Sequence, residues 1–239
     1  MAKRFGISST FFLLGAGMSY ILSQRKLSAT RTDSAKFGQE LLAEENKNEE
    51  PKKTLESMRN EVSNVSIVKE LREKSEIWRE VLLSHGLDEN RVRQSFLHDT
   101  FNQPDHLLLP PTMFVKDDKT ECIYIFYIGK KLCGHPGITH GGVQAMLYDE
   151  AMARPALLNL PRNTGMTAYL NITYKAPALV NQILILKAKL TELNGRKAFV
   201  SAQIENAEGL VLSTAESLFI SPKNLELVED NTNRFKEFN

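Results

Sequence analysis

GKKLCGHPGITHGGVQAMLYDEAMARPALL, residues 129–158, is the stretch on which the fold turns. Its first half is glycine-rich, with Gly129, Gly134, Gly137, Gly141 and Gly142 in fourteen residues, and reads as a loop. Its second half reads as a helix. Val143, Ala145, Met146, Leu147, Tyr148, Ala151, Met152 and Ala153 leave it with almost no polar face. A helix that is apolar nearly all round is enclosed by other structure. Pro155 is expected to end or kink this helix near Arg154, because proline lacks the amide the helix needs and clashes with the preceding turn.

Strand patterns lie on both sides of it. Residues 112–116 and 121–128 (ECIYIFYI) are β-rich and separated by the turn Asp117-Asp118-Lys119. Beyond the helix, residues 165–174, 182–193, 197–205 and 210–220 are further strand candidates. Asn194-Gly195 and Glu208-Gly209 are hairpin turns between the last three. The order is two strands, one helix, four strands. Strands joined by tight turns are antiparallel neighbours, and the single helix has only their sheet to bury against. The expected class is α+β: a curled antiparallel sheet wrapped around one central helix.

Upstream, apolar spacing of three and four returns from Val65. Ile67, Leu71, Ile77, Trp78, Val81 and Leu82 follow Ser66 as N-cap, and Gly86 is the stop, which predicts a helix. Residues 91–101 read as a second short helix, so 65–106 is expected to be a helical region. Residues 33–64 carry many acids among lysines and few large apolar groups, the pattern of a charged linker or a loose helix. Residues 222–239 read as a polar tail. The first 32 residues hold Lys3, Arg4, Arg25, Lys26 and Arg31 with no acid and several serines, the composition of a mitochondrial targeting segment. Within them, residues 5–22 are uncharged and would span roughly 27 Å as a helix, close to the bilayer core. The expectation is a mitochondrial protein anchored in the membrane through residues 5–22, the competing reading being a cleaved presequence.

The net charge is +1, so there is no overall field to concentrate nucleic acid, and none is expected as a partner. The two cysteines, Cys122 and Cys133, do not make a disulfide scaffold. Cys133 with His135 and His140 is a poor zinc set. No metal and no cofactor are expected.

His140-Gly141-Gly142 ahead of the helix, an acid seven residues after the second glycine (Asp149), and the later segment TAYLNITYKAP (residues 167–177) together resemble the hotdog-fold thioesterase superfamily, over residues 111–221. The resemblance implies a hotdog domain over 107–221 and hydrolysis of an acyl-CoA thioester to CoA and a carboxylic acid. It implies a homo-oligomer, a dimer or a dimer of dimers, with active sites across the dimer interface. Backbone amides of Gly141 and Gly142 at the helix start would polarise the thioester carbonyl. Asp149 of one subunit would act as base or nucleophile opposite the glycine loop of the other, because on its own helix it lies roughly 13 Å along the axis from His140. Thr167 would help place the water and His140 would orient or polarise the thioester. Glu150 is the competing acid, Asp149 being favoured by its spacing. Arg154 would serve the helix dipole, or else a CoA phosphate. The alternative function is a non-catalytic, membrane-tethered module that binds acyl-CoA or acts as an assembly subunit. A hydratase of the same fold fits less well, since His140 is in the loop and Asp149 far along the helix.

Overall fold

A computed structural model describes residues 54–84, 87–228 and 230–238. The apolar run 5–22 and most of the acidic stretch 33–64 lie outside the described residues. Among the described residues no helix is long and apolar enough to cross a membrane.

The chain forms helices α1 (Leu55–Asn64) and α2 (Ser66–Glu73), strand β1 (Trp78–Leu82), a short helix α3 (Glu89–Arg93), strands β2 (Thr112–Lys116) and β3 (Glu121–Ile128), a small hairpin of β4 (Cys133–His135) and β5 (Ile138–Thr139), the long helix α4 (Gly141–Asn159), and strands β6 (Met166–Tyr174), β7 (Gln182–Asn194), β8 (Lys197–Asn206) and β9 (Val211–Ile220). Seven strands make one antiparallel sheet in the order β1-β2-β3-β7-β8-β9-β6. The sheet wraps α4, which is the expected hotdog architecture. Asn194-Gly195 lies in the β7–β8 turn, where Gly195 takes a left-handed φ of 56°.

Each face of the sheet has its own core. On the inner face Leu147, Tyr148, Ala151, Met152 and Ala156 of α4 meet Tyr124, Phe126, Leu184, Leu186, Val200 and Ile204. On the outer face Val62, Val65, Val68 and Leu71 of α1 and α2 pack on Phe114, Ile123, Ile125, Ile183 and Ile185. This explains ECIYIFYI, a strand apolar at nearly every position: it is buried on both sides. A buried polar chain pins α4 in the barrel. Tyr148 donates to Ser213 Oγ (2.9 Å), Ser213 donates to Gln144 Oε1 (2.9 Å), and the Ile204 amide donates to the tyrosine oxygen (3.0 Å).

Four local expectations need correction. The end of the stretch read as solvated linker or loose helix is α1, capped where Thr54 Oγ1 accepts the Ser57 amide (3.1 Å) and packed on the outer sheet through Val62, which composition could not reveal. Trp78, Val81 and Leu82 are in strand β1, not in a helix, and Ser66 is the first helical residue after the cap Val65. Five residues of β1 pair with the free edge of β2, and Arg72 grips Glu80 through two 2.8 Å bonds. Edge pairing and burial of Val81 outweigh a modest helical preference. Proline 155 does not end α4, which runs on to Asn159. Ala156 and Leu158 are buried beyond it, and their burial offsets the roughly 3 kcal/mol such a proline costs. The polar tail is part of the core: Phe235 is 1% exposed and Phe238 9%. It is tied down where Arg162 pairs with Asp230 (3.0 Å) and Asn231 donates to Thr164 (3.0 Å).

Candidate active site

The hairpin β4–β5 holds the glycine loop against the start of α4. Its backbone is fixed by the His140 amide donating to Leu132 C=O (2.8 Å) and the Thr139 amide donating to Ala178 C=O (2.7 Å). His140 is the N-cap, and its Nδ1 accepts the Gly142 amide at 2.8 Å. A ring nitrogen that accepts carries no proton, so the other nitrogen, Nε2, carries it in the neutral ring. His140 is exposed, as is Gly142.

The Gly141 amide, the first of the helix, meets no acceptor among the described residues, while that of Gly142 is engaged by the histidine. Between the two expected oxyanion donors the unspent one is therefore Gly141. Tyr174, which sequence reading passed over, donates its hydroxyl to the Gly141 carbonyl (2.7 Å) and thereby orients the Gly141–Gly142 peptide. The glycines have steric reasons to be glycine. A Cβ at Gly141 would stand 3.1 Å from the Tyr174 hydroxyl, and one at Gly142 3.0 Å from His140 Nδ1. Gly134, also unremarked in the sequence, makes room for the His140 ring: a Cβ there would lie 2.9 Å from Cδ2.

Asp149 lies further along α4, on the solvent-facing stripe that includes Gly142, and it is exposed in the single chain. Thr167 donates to its Oδ1 at 2.6 Å. That contact depends on a β-bulge. Leu170 and Ile172 face the core from β6, so regular alternation would turn Ala168 and not Thr167 toward the helix. The register slips between Thr167 and Tyr169, and the extra residue turns the threonine inward. The bulge is invisible in the sequence.

Asp149 and Thr167 are thus brought together, and so are His140, Gly141 and Gly142. The two groups are not brought together within one chain, being about nine residues, or roughly 13 Å, apart along the helix. The competing acid Glu150 points elsewhere, into a cleft with His98, Arg91 and Arg234. Arg154 is neither at the helix end nor open to solvent. It is 4% exposed and stacks on the Phe235 ring at 5.0 Å, because the helix continues past it. Asn171 and Thr173 line an open polar groove on the outer face of the sheet with Lys187 and Gln203.

The arrangement offers a carboxylate fixed by a hydroxyl at mid-helix, and, at the start of the helix, an unspent amide at the positive terminus beside a histidine. These are the parts needed to hydrolyse an activated carbonyl.

Comparison with known proteins agrees. A family model described as thioesterase superfamily matches residues 136–213, which run from the glycine loop into β9. An uncharacterised protein of Schizosaccharomyces pombe is 31% identical over 121 residues, 49% of this chain and 69% of that protein. Acyl-coenzyme A thioesterase THEM4 of Bos taurus is 31% identical over 135 residues, 56% of this chain and 54% of that protein. An uncharacterised mitochondrial protein of Candida albicans is 30% identical over 127 residues, 53% of this chain and 56% of that protein. The chain spans about half the length of the last two relatives.

Proposed function

The chain belongs to the thioesterase superfamily, and from that premise we propose that it hydrolyses acyl-CoA at a site shared between two copies of itself. The observation that carries the reading is the 2.6 Å bond from Thr167 to Asp149 in a chain whose glycine loop lies roughly 13 Å away along the helix. The bovine relative is an acyl-coenzyme A thioesterase by name, which supports acyl-CoA as the substrate class.

A second copy is favoured by two features. Strand β6 is an edge of the sheet, with no strand on its far side among the described residues. Met166 (60% exposed) and Tyr169 (40%) lie on it, beside the open stripe of α4. A two-fold pairing of these edges sets Asp149 of one copy against the glycine loop of the other.

The thioester carbonyl oxygen then accepts the Gly141 amide, with His140 Nε2–H as a further donor while the Gly142 amide holds the ring through Nδ1. Thr167 holds Asp149 Oδ1, leaving Oδ2 to take a proton from water. The water oxygen bonds to the carbonyl carbon, giving a tetrahedral oxyanion at the positive helix end. Its collapse re-forms the C=O and breaks the C–S bond. The proton held by Asp149 passes to the CoA sulfur, releasing CoA thiol and a carboxylic acid. Among the described residues no cluster of His, Cys, Asp or Glu could hold a metal, and none enters this scheme.

Residues 107–221 are the proposed catalytic unit. The basic, acid-free first 32 residues and the mitochondrial relative in Candida albicans support a mitochondrial location, and the apolar run 5–22 supports a membrane anchor there.

The test is thiol release from a panel of acyl-CoAs. Asp149→Asn is expected to lose at least about a hundredfold in kcat while keeping the oligomeric state and melting temperature of the parent. Turnover within twofold of the parent would overturn the assignment.

A further inference from the structure

We propose that the cleft beside Asp149 takes a second anionic group on the acyl chain, so that the preferred substrates are thioesters of dicarboxylic acids. This rests on the hydrolase reading above.

A cavity of about 230 Å³ lies between α4, residues 87–98 and the C-terminal tail. Its charged lining is Arg91, Arg154, Arg234 and Glu150, with His98 beside them; Leu157 and Phe235 are among its apolar walls. Three guanidinium groups thus line the cavity with Glu150, Arg91 being paired also with Asp88 (3.7 Å). Phe235 accepts Arg154 and Arg234 against its ring, each guanidinium carbon 5.0 Å from the centroid, so the buried tail delivers one of the arginines to the cavity. Arg234 Nε is a buried donor without an acceptor among the described residues, and Arg234 is held below the usual arginine range by burial and then by repulsion from Arg154. His98 Nδ1 shares a 2.7 Å bond with Ser95 Oγ, which also accepts the His98 amide (3.2 Å). With the serine proton given to Nδ1, the ring proton sits on the buried Nε2, which faces the Leu83 backbone. Desolvation keeps the ring neutral by pushing its pKa down. A buried guanidinium donor with no acceptor among the described residues, beside a second buried arginine, is the chemistry that takes a carboxylate.

Position selects the anion. Ala153, in the cavity wall, is one helical turn (about 6 Å) beyond Asp149, and Glu150 is its neighbour. A thioester carbonyl at Asp149 and a carboxylate in the cavity are therefore a few methylene groups apart. The phosphates of CoA lie on the other side of the thioester, at the far end of the pantetheine arm, and the cavity is smaller than the space a nucleotide needs.

The experiment compares adipoyl-CoA with hexanoyl-CoA, which share chain length and differ at the terminal carboxylate. The parent protein is expected to favour adipoyl-CoA in kcat/KM by about tenfold or more. Arg234→Gln is expected to bring that ratio near one, and Arg234→Lys, which keeps the charge, to retain most of it. Arg91→Gln provides a second variant should the tail be disturbed. A parent ratio of one or less, or a ratio that neither Gln variant moves, overturns the proposal. Equal loss on both substrates is such a result, and points to a CoA phosphate instead. If no acyl-CoA is turned over, the hydrolase reading fails on its own, and the same ratio is read from dissociation constants of the two esters by calorimetry. Tighter adipoyl-CoA binding that Arg234→Gln abolishes then supports the cavity, and equal binding refutes it.

Discussion

Phenylalanine 235 tests whether the C-terminal segment is a structural part of the domain. Phe235→Ala removes a ring that is 1% exposed from the main core. Truncations of this kind cost about 3–5 kcal/mol, the transfer of the ring plus the cavity it leaves. Here Arg154 and Arg234 lose the face they stack on. Each such contact is worth about 0.5–2 kcal/mol, more where water is excluded, as at Arg154. These quantities overlap, so the expected loss is about 4 kcal/mol. In a chain of this length each kcal/mol moves the midpoint by about 2–4 °C, giving a fall of roughly 8–16 °C. Urea unfolding followed by fluorescence and far-ultraviolet circular dichroism measures it directly. Lys236→Ala, at an exposed neighbour, is the control and is expected within about 0.5 kcal/mol of the parent. A loss below about 1 kcal/mol for Phe235→Ala would mean that the tail is not packed as described.

Further outcomes follow from the same geometry. Thr167→Val removes the donor to Asp149 and is expected to lower kcat about tenfold with less effect on KM, since the bond is exposed and lies at the low end for a charged acceptor; stopped-flow thiol release checks it. Gly129→Ala would place a Cβ 2.2 Å from the Asp105 carbonyl carbon, backbone against backbone. It is expected to fold poorly or lose several kcal/mol, about 3 or more, in denaturant unfolding. Ellman's reagent is expected to titrate one thiol in the native chain, the exposed Cys133. The second, Cys122, is buried, with its pKa pushed up to about 12 by desolvation, and reacts only after unfolding.

Much of the hotdog core was legible because its signals are local and unmixed. An all-apolar helix can only be enclosed, and Asn194-Gly195 closes a hairpin by backbone preference alone. What escaped was set by distant parts of the chain. The spacing of Trp78, Val81 and Leu82 suits a helix face as well as a strand, and only the open edge of β2 decides between them. Phe235 and Phe238 stand in a polar run without any period, so nothing in the sequence marks them as core. The chemistry followed the same division. Asp149 and the glycine loop are readable as motifs, whereas the bulge that aims Thr167, the Tyr174 bond to Gly141 and the arginine cleft arise only when β6, the tail and residues 87–98 meet the helix.

The central claim is that each active site draws Asp149 from one copy and the glycine loop from another. Mixing two inactive variants, Asp149→Asn and Gly142→Val, through partial unfolding and reassembly measures this directly. A mixed dimer then contains one site with both parts intact, and random pairing restores about a quarter of the parent activity. Activity that stays at the level of the separate variants, in a sample shown to contain mixed dimers, would place the whole site in one chain and contradict the account.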